Sequence, residues 1–110
     1  MKKELMITAC LLALTAFAST ALADTKKGEK LSGEKEFKEH CASCHPDGGN
    51  IINPAMTLKK ADREKHGVKT VAEIIKLIRK PGPGMTAFDA KTISNKEAKA
   101  IAHYILKTFK

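Results

Sequence analysis

The chain has no tryptophan, one tyrosine and four phenylalanines, and only three cysteines in 110 residues. Three cysteines cannot build a disulfide framework, so a small stapled scaffold is excluded. With so few large aromatic side chains there is little to fill a core, and a chain this short buries a smaller share of its surface than a larger domain does. One domain at most is expected, and a large enzyme with its own substrate cavity is not. Some further core material, a metal or a bound group, is needed. Negative charge is scarce as well: 12 Asp and Glu face 20 Lys and Arg, for a formal charge of +8.

What is present begins with an address. Lys2 and Lys3 form a basic start, residues 5–23 carry no charge, and the run closes on Ala21-Leu22-Ala23 before Asp24. A positive n-region, an apolar stretch and an Ala-x-Ala site make a secretory signal peptide over residues 1–23, expected to be cleaved after Ala23. Nineteen uncharged residues could just span a bilayer as an uncleaved anchor, but the run is rich in Ala and Thr. Cys10 sits too early in the run for a lipid anchor. Cleavage removes Lys2, Lys3 and Glu4 and leaves a basic exported chain with no membrane span and two cysteines, Cys41 and Cys44. Export argues against nucleic acid as a partner and directs the positive charge toward acidic proteins or anionic membrane.

Residues 24–31 are polar and Lys-rich, a flexible lead-in to a domain over residues 32–110. Ser32 can cap a first helix with Glu34 in its first turn and Phe37, Cys41 and Cys44 on one side at i, i+4, i+7; Pro46 and Gly48-Gly49 would stop it. Residues 46–56 read as an irregular loop, and residues 57–65 as a short helix ended by Gly67. Thr70-Val71-Ala72-Glu73 is a capping box ahead of Val71, Ile74, Ile75 and Ile78, and this helix must stop before Pro81. Pro81-Gly82-Pro83-Gly84 makes a stiff, tight turn. Ser94-Asn95-Lys96-Glu97 is a second capping box, opening a helix to about Thr108 with Ala98, Ile101, Ala102, Ile105 and Phe109 on one face. No strand signal competes, so an all-α fold of three to four short helices is expected.

Cys41-Ala42-Ser43-Cys44-His45 is C-x-x-C-H, the attachment sequence of c-type haem. Two thiols three residues apart can reach the two vinyl groups of a haem, and the next residue, His45, then lies under the iron. A porphyrin so held also supplies the missing core. A zinc site using Cys41 and Cys44 with two of His40, His45, His66 and His103 lacks the usual second ligand pair. A thioredoxin-like dithiol lacks βαβ surroundings. For a sixth iron ligand the candidates are Met56 and Met85, of which Met85, following the Pro-Gly-Pro-Gly turn, is favoured: glycine admits backbone close to a flat ring and proline keeps the thioether aimed. His66 and His103 are expected at the surface.

These residues resemble the small monohaem class I c-type cytochromes, especially the soluble plastocyanin-replacing type and its non-photosynthetic bacterial relatives. The resemblance spans about residues 32–109. Gly33 to Phe37 ahead of the haem motif resembles the family's first helix, Asn50-Ile51-Ile52-Asn53-Pro54 and Thr57-Leu58-Lys59-Lys60 its crevice loop and next helix, Gly84-Met85-Thr86-Ala87-Phe88 its ligand loop, and Ala102-His103-Tyr104-Ile105 its last helix. The resemblance implies a class I fold wrapped around one covalently bound haem c, with Cys41 and Cys44 as thioether sites and His45 and Met85 as axial ligands. It also implies that Gly33 and Tyr104 mark a helix crossing and that Lys60 can approach a propionate. Thr86 stands where the family has proline, and Met56 where it is usually polar.

The expectation is a non-enzymatic one-electron carrier of the periplasm, with redox partners that offer acidic docking surfaces. The alternative is a haem domain with open or weakly ligated iron that binds a small gas or peroxide, for which Thr86 and Met56 speak. A role in assembly or regulation of other cytochromes is a third.

Overall fold

The computed structural model describes residues 30–110; the signal peptide and most of the lead-in expected from the sequence lie outside the described residues. Four α-helices follow in order: α1 (Gly33–His40), α2 (Lys60–Lys65), α3 (Val71–Arg79) and α4 (Asn95–Thr108), with a short 3-10 turn at Pro46–Gly48. Among the described residues there is no strand.

Local chemistry sets the helix starts. Ser32 Oγ accepts from Lys35 N at 3.3 Å and caps α1. Both capping boxes form: Thr70 and Glu73 close the start of α3, Ser94 and Glu97 that of α4. Helix α3 ends at Arg79, two residues before Pro81, and Gly67 takes φ 76° after α2.

Two boundaries differ from expectation. α1 stops at His40, and residues 41–44 are turns, so Cys44 is not on a continuation of the helix. The amides of Cys41 and Ala42 both donate to Phe37 O, at 2.8 and 3.0 Å, which closes the helix well before Pro46. α2 begins at Lys60, three residues late, because the Thr57 hydroxyl donates to Asp62 and accepts from Lys59 N instead of joining the helix. That bond holds the Asp62 carboxyl below its ordinary range.

Helix α4 packs on both α1 and α3. Its crossing with α1 requires glycine: a Cβ on Gly33 would lie 2.1 Å from Ala100 O and 3.0 Å from Tyr104 Cβ. Phe37 fits beside that crossing, with ring centroids 5.3 Å from both Tyr104 and Phe109. Ile74, Ile78, Ile93, Ala98, Ile101, Ala102 and Ile105 complete the core with Phe37 and Cys41. Apart from Phe37 every member is small or aliphatic, as the scarcity of aromatics requires.

Candidate haem site

The segment 41–49 joins the end of α1 to the crevice loop through a dense set of backbone bonds. His45 N donates to Cys41 O at 2.9 Å, Gly48 N to His45 O at 3.1 Å and Gly49 N to Pro46 O at 2.9 Å. Asp47 and Gly48 are both left-handed, with φ 53° and 77°. This tucks Gly48 beneath Phe109, so closely that a Cβ would sit 2.4 Å from the ring. Only glycine fits there.

The two cysteines of the motif differ in surroundings. Cys41 is buried in the core and Cys44 is exposed. Burial, with the nearby Cys44 thiol second, pushes the Cys41 thiol up to about 11, so it stays protonated at neutral pH. His45 Nδ1 lies 2.8 Å from Gly49 O. A carbonyl only accepts, so Nδ1 carries a proton, and in the neutral ring Nε2 is left with its lone pair. That is the tautomer a metal-binding histidine needs, with its ring orientation fixed by the same bond.

Two loops face each other beyond this segment. In the first, Asn50 Oδ1 accepts from Ile52 N and Asn53 N at 3.0 and 2.9 Å, while its Nδ2 donates to Met56 O at 2.9 Å. In the second, Gly84 adopts φ 88°, and the place of its missing Cβ is 3.2 Å from Ile52 Cγ2. Ile51, Ile52, Met56 and Met85 are all exposed, on these two loops rather than in the core. Apolar side chains gathered this way mark a binding surface. The donor set and these walls suit an apolar, planar group attached through thiols: two cysteines, an imidazole with a free Nε2, and glycine where backbone must come close.

Residues given little notice in the sequence hold the loops in place. Arg79 donates to Phe88 O at 3.0 Å and Asn95 Oδ1 at 2.9 Å, and Phe88 N donates to Ile78 O at 2.9 Å, so the second loop is tied down at its far end. Arg63 is buried and donates to the carbonyls of Leu58, Val68 and Phe109, at 2.6, 3.4 and 3.3 Å. No signal in the sequence separates Arg63 from the other charges of its short polar helix. Lys60, exposed at the start of α2, lines a concavity with Arg63, Lys69 and Lys110. His66 and His103 are exposed, as expected.

Residues 28–105 match the family described as cytochrome c oxidase, cbb3-type, subunit III. Cytochrome c6 of a Nostoc species is 36% identical over 91 residues, covering 83% of this chain and 78% of that protein. Cytochrome c6 of Microcystis aeruginosa is 39% identical over 74 residues, 67% of this chain and 90% of its own. The chain belongs to the monohaem class I c-type cytochromes. Solved structures agree: outer membrane cytochrome F of Geobacter sulfurreducens superposes with a TM-score of 0.70 at 43% identity, over 72% of this chain and 100% of that one. Cytochrome c6C of a Synechococcus species gives 0.66 at 34% identity, over 70% and 93%. The four helices are therefore those of the class I cytochrome fold, the cofactor of this cytochrome is a covalently bound haem c, and its work is electron transfer. Among the described residues no helix is long and apolar enough to cross a membrane.

Proposed function

We propose that this cytochrome shuttles single electrons in the bacterial periplasm and is not itself an enzyme, its haem joined to Cys41 and Cys44 and its iron held by His45 and Met85. The observation that carries the reading is the bond from His45 Nδ1 to Gly49 O, which leaves Nε2 as the free donor next to the two cysteines. Haem supplies one-electron exchange between ferric and ferrous iron, and a thioether ligand raises its potential. The bond to Gly49 O would hold the His45 ring in one orientation toward the iron. Met85 follows two prolines and a left-handed glycine, a geometry that aims a side chain from a short loop. With both residues as ligands no position is open to a substrate, which suits a carrier. Lys60 is the cation we assign to a propionate. Residues 1–23 are assigned as the cleaved export signal, and the excess of lysine as the means of attracting redox partners with acidic faces, an attraction that salt weakens.

Visible spectra of the exported protein, with and without carbon monoxide, test the assignment. The wild type is expected to be low-spin, with a thioether-to-iron charge-transfer band, and to ignore carbon monoxide. Met85→Ala loses the band and binds the gas, whereas Met56→Ala changes neither. A wild type that is high-spin and binds carbon monoxide overturns the closed carrier in favour of a gas- or peroxide-binding domain.

A further inference from the structure

Away from the haem motif, the last turn of α1 gathers three more ligand-type side chains. Glu36, Glu39 and His40 occupy i, i+3 and i+4 of one helix, the spacing that stacks side chains on one face. One ligand atom from each lies within 4.8 Å of the other two. His40 Nε2 and Glu36 Oε2 are 3.6 Å apart, longer than a hydrogen bond. Metal–nitrogen and metal–oxygen bonds of about 2.1 Å place two ligands of a tetrahedral site about 3.4 Å apart. The pair is an ion pair when His40 is protonated, and with a neutral imidazole the same spacing fits an ion held between the two. Both side chains are largely sheltered, at 19% and 16% exposure, so their positions are set by packing. The His40 ring lies edge-on to Phe88, with centroids 6.0 Å apart.

Glu39 supplies the third donor and an independent reason for a cation. It stands in the last turn, where the helix dipole disfavours a carboxylate and favours positive charge. It has neither a hydrogen bond nor an ion pair among the described residues, whereas the neighbouring Glu34 is matched by Lys38 at 2.6 Å. Being exposed, Glu39 can rotate to close the remaining distance.

We infer that Glu36, Glu39 and His40 form a second metal site, for a divalent transition cation such as Zn2+ or Cu2+. One imidazole with two carboxylates selects these ions over Mg2+ and Ca2+, which prefer all-oxygen sets. Three protein ligands leave a position for water.

Calorimetric titration of the haem-loaded protein with Zn2+, and separately with Mg2+, tests the site. One Zn2+ per chain is expected, bound at least about tenfold more tightly than Mg2+. Glu39→Gln should weaken Zn2+ binding by about tenfold or more with the visible spectrum and melting temperature unchanged, because this side chain makes no hydrogen bond or ion pair among the described residues. His40→Asn should abolish binding; since it also removes a contact to Phe88, Glu39→Gln decides if that variant does not fold. Glu34→Gln, outside the cluster, should leave affinity unchanged. No Zn2+ uptake by the wild type, undiminished uptake by Glu39→Gln, or loss of uptake in His66→Asn or His103→Asn in place of these variants would overturn the assignment.

Discussion

Between Cys41 and Gly49 the backbone is bonded at almost every step, and one residue, Gly48, is locked under an aromatic ring. Between Pro81 and Ala87 the described chain makes a single bond to itself, Met85 N to Gly82 O at 3.5 Å. The first segment therefore sets its own conformation; the second is anchored at its ends and takes its shape from proline. The His45 side is stiff by hydrogen bonding and burial. The Met85 side is stiff only to the extent that its prolines restrict φ. On the proposed ligation, perturbation should thus release the Met85 thioether well before the His45 imidazole, and three sets of variants put that ordering at risk.

The largest effect is expected from Gly48→Ala. A Cβ there meets Phe109 at 2.4 Å, and the ring has little room to yield because it also packs on Phe37 and Tyr104 while the Phe109 carbonyl accepts from Arg63. Overpacking costs about 1–3 kcal/mol and a left-handed alanine about 1 kcal/mol more. Thermal melting should fall by about 8–32 °C, at about 4–8 °C per kcal/mol. The matching change in the other segment, Gly82→Ala, has nothing within 4 Å of its Cβ and no positive φ, so melting should stay within about 0.5 kcal/mol of wild type. Equal losses for both would erase the contrast.

Two arginines sharpen it next. Arg79→Ala frees Phe88 O and Asn95, the far anchor of the Met85 loop; Arg63→Met frees the carbonyls of Leu58, Val68 and Phe109, none of them in that loop. Each should cost about 1–3 kcal/mol in chemical denaturation. Their spectra should part company: Arg79→Ala weakens the thioether band and admits carbon monoxide, and Arg63→Met does neither. Carbon monoxide binding in Arg63→Met alone would show that the loop is supported through the Arg63 contacts rather than through Arg79.

How much of this was legible in the sequence follows the same division. Capping boxes are local, so the starts of α3 and α4 were readable from Thr70-Glu73 and Ser94-Glu97 alone. C-x-x-C-H is a contiguous motif, and with the resemblance around it the class of the fold was readable too. What the sequence hid depends on distance along the chain. Gly48 under Phe109, Arg63 donating to Phe109 O and Arg79 to Asn95 are contacts whose partners have no fixed spacing. The end of α1 at His40 was missed because Phe37, Cys41 and Cys44 keep helical spacing through a run that folds as turns. The Glu36-Glu39-His40 set was also missed: as a sequence it looks like a solvated helix face, and only the 3.6 Å separation in the fold gives it meaning.

The smallest expected effect is a gain. Thr86 follows Met85 in the loosely bonded loop, where the family resemblance points to proline, and its amide donates to no described group. A proline there removes no hydrogen bond and restricts the unfolded chain, which at a compatible site stabilises by about 0.4–1 kcal/mol. Melting should rise by about 2–8 °C in Thr86→Pro. The more telling measurement is the rate at which added imidazole displaces the thioether, followed by loss of the charge-transfer band. If looseness of the 81–87 backbone governs release, that rate falls in Thr86→Pro and rises in Arg79→Ala, although one variant acts on the middle of the loop and the other on its end. A rate unmoved by Thr86→Pro while Arg79→Ala accelerates it would place the control at the anchor alone. The contrast between the two sides would then lie in how the loop is tied down rather than in how it is made.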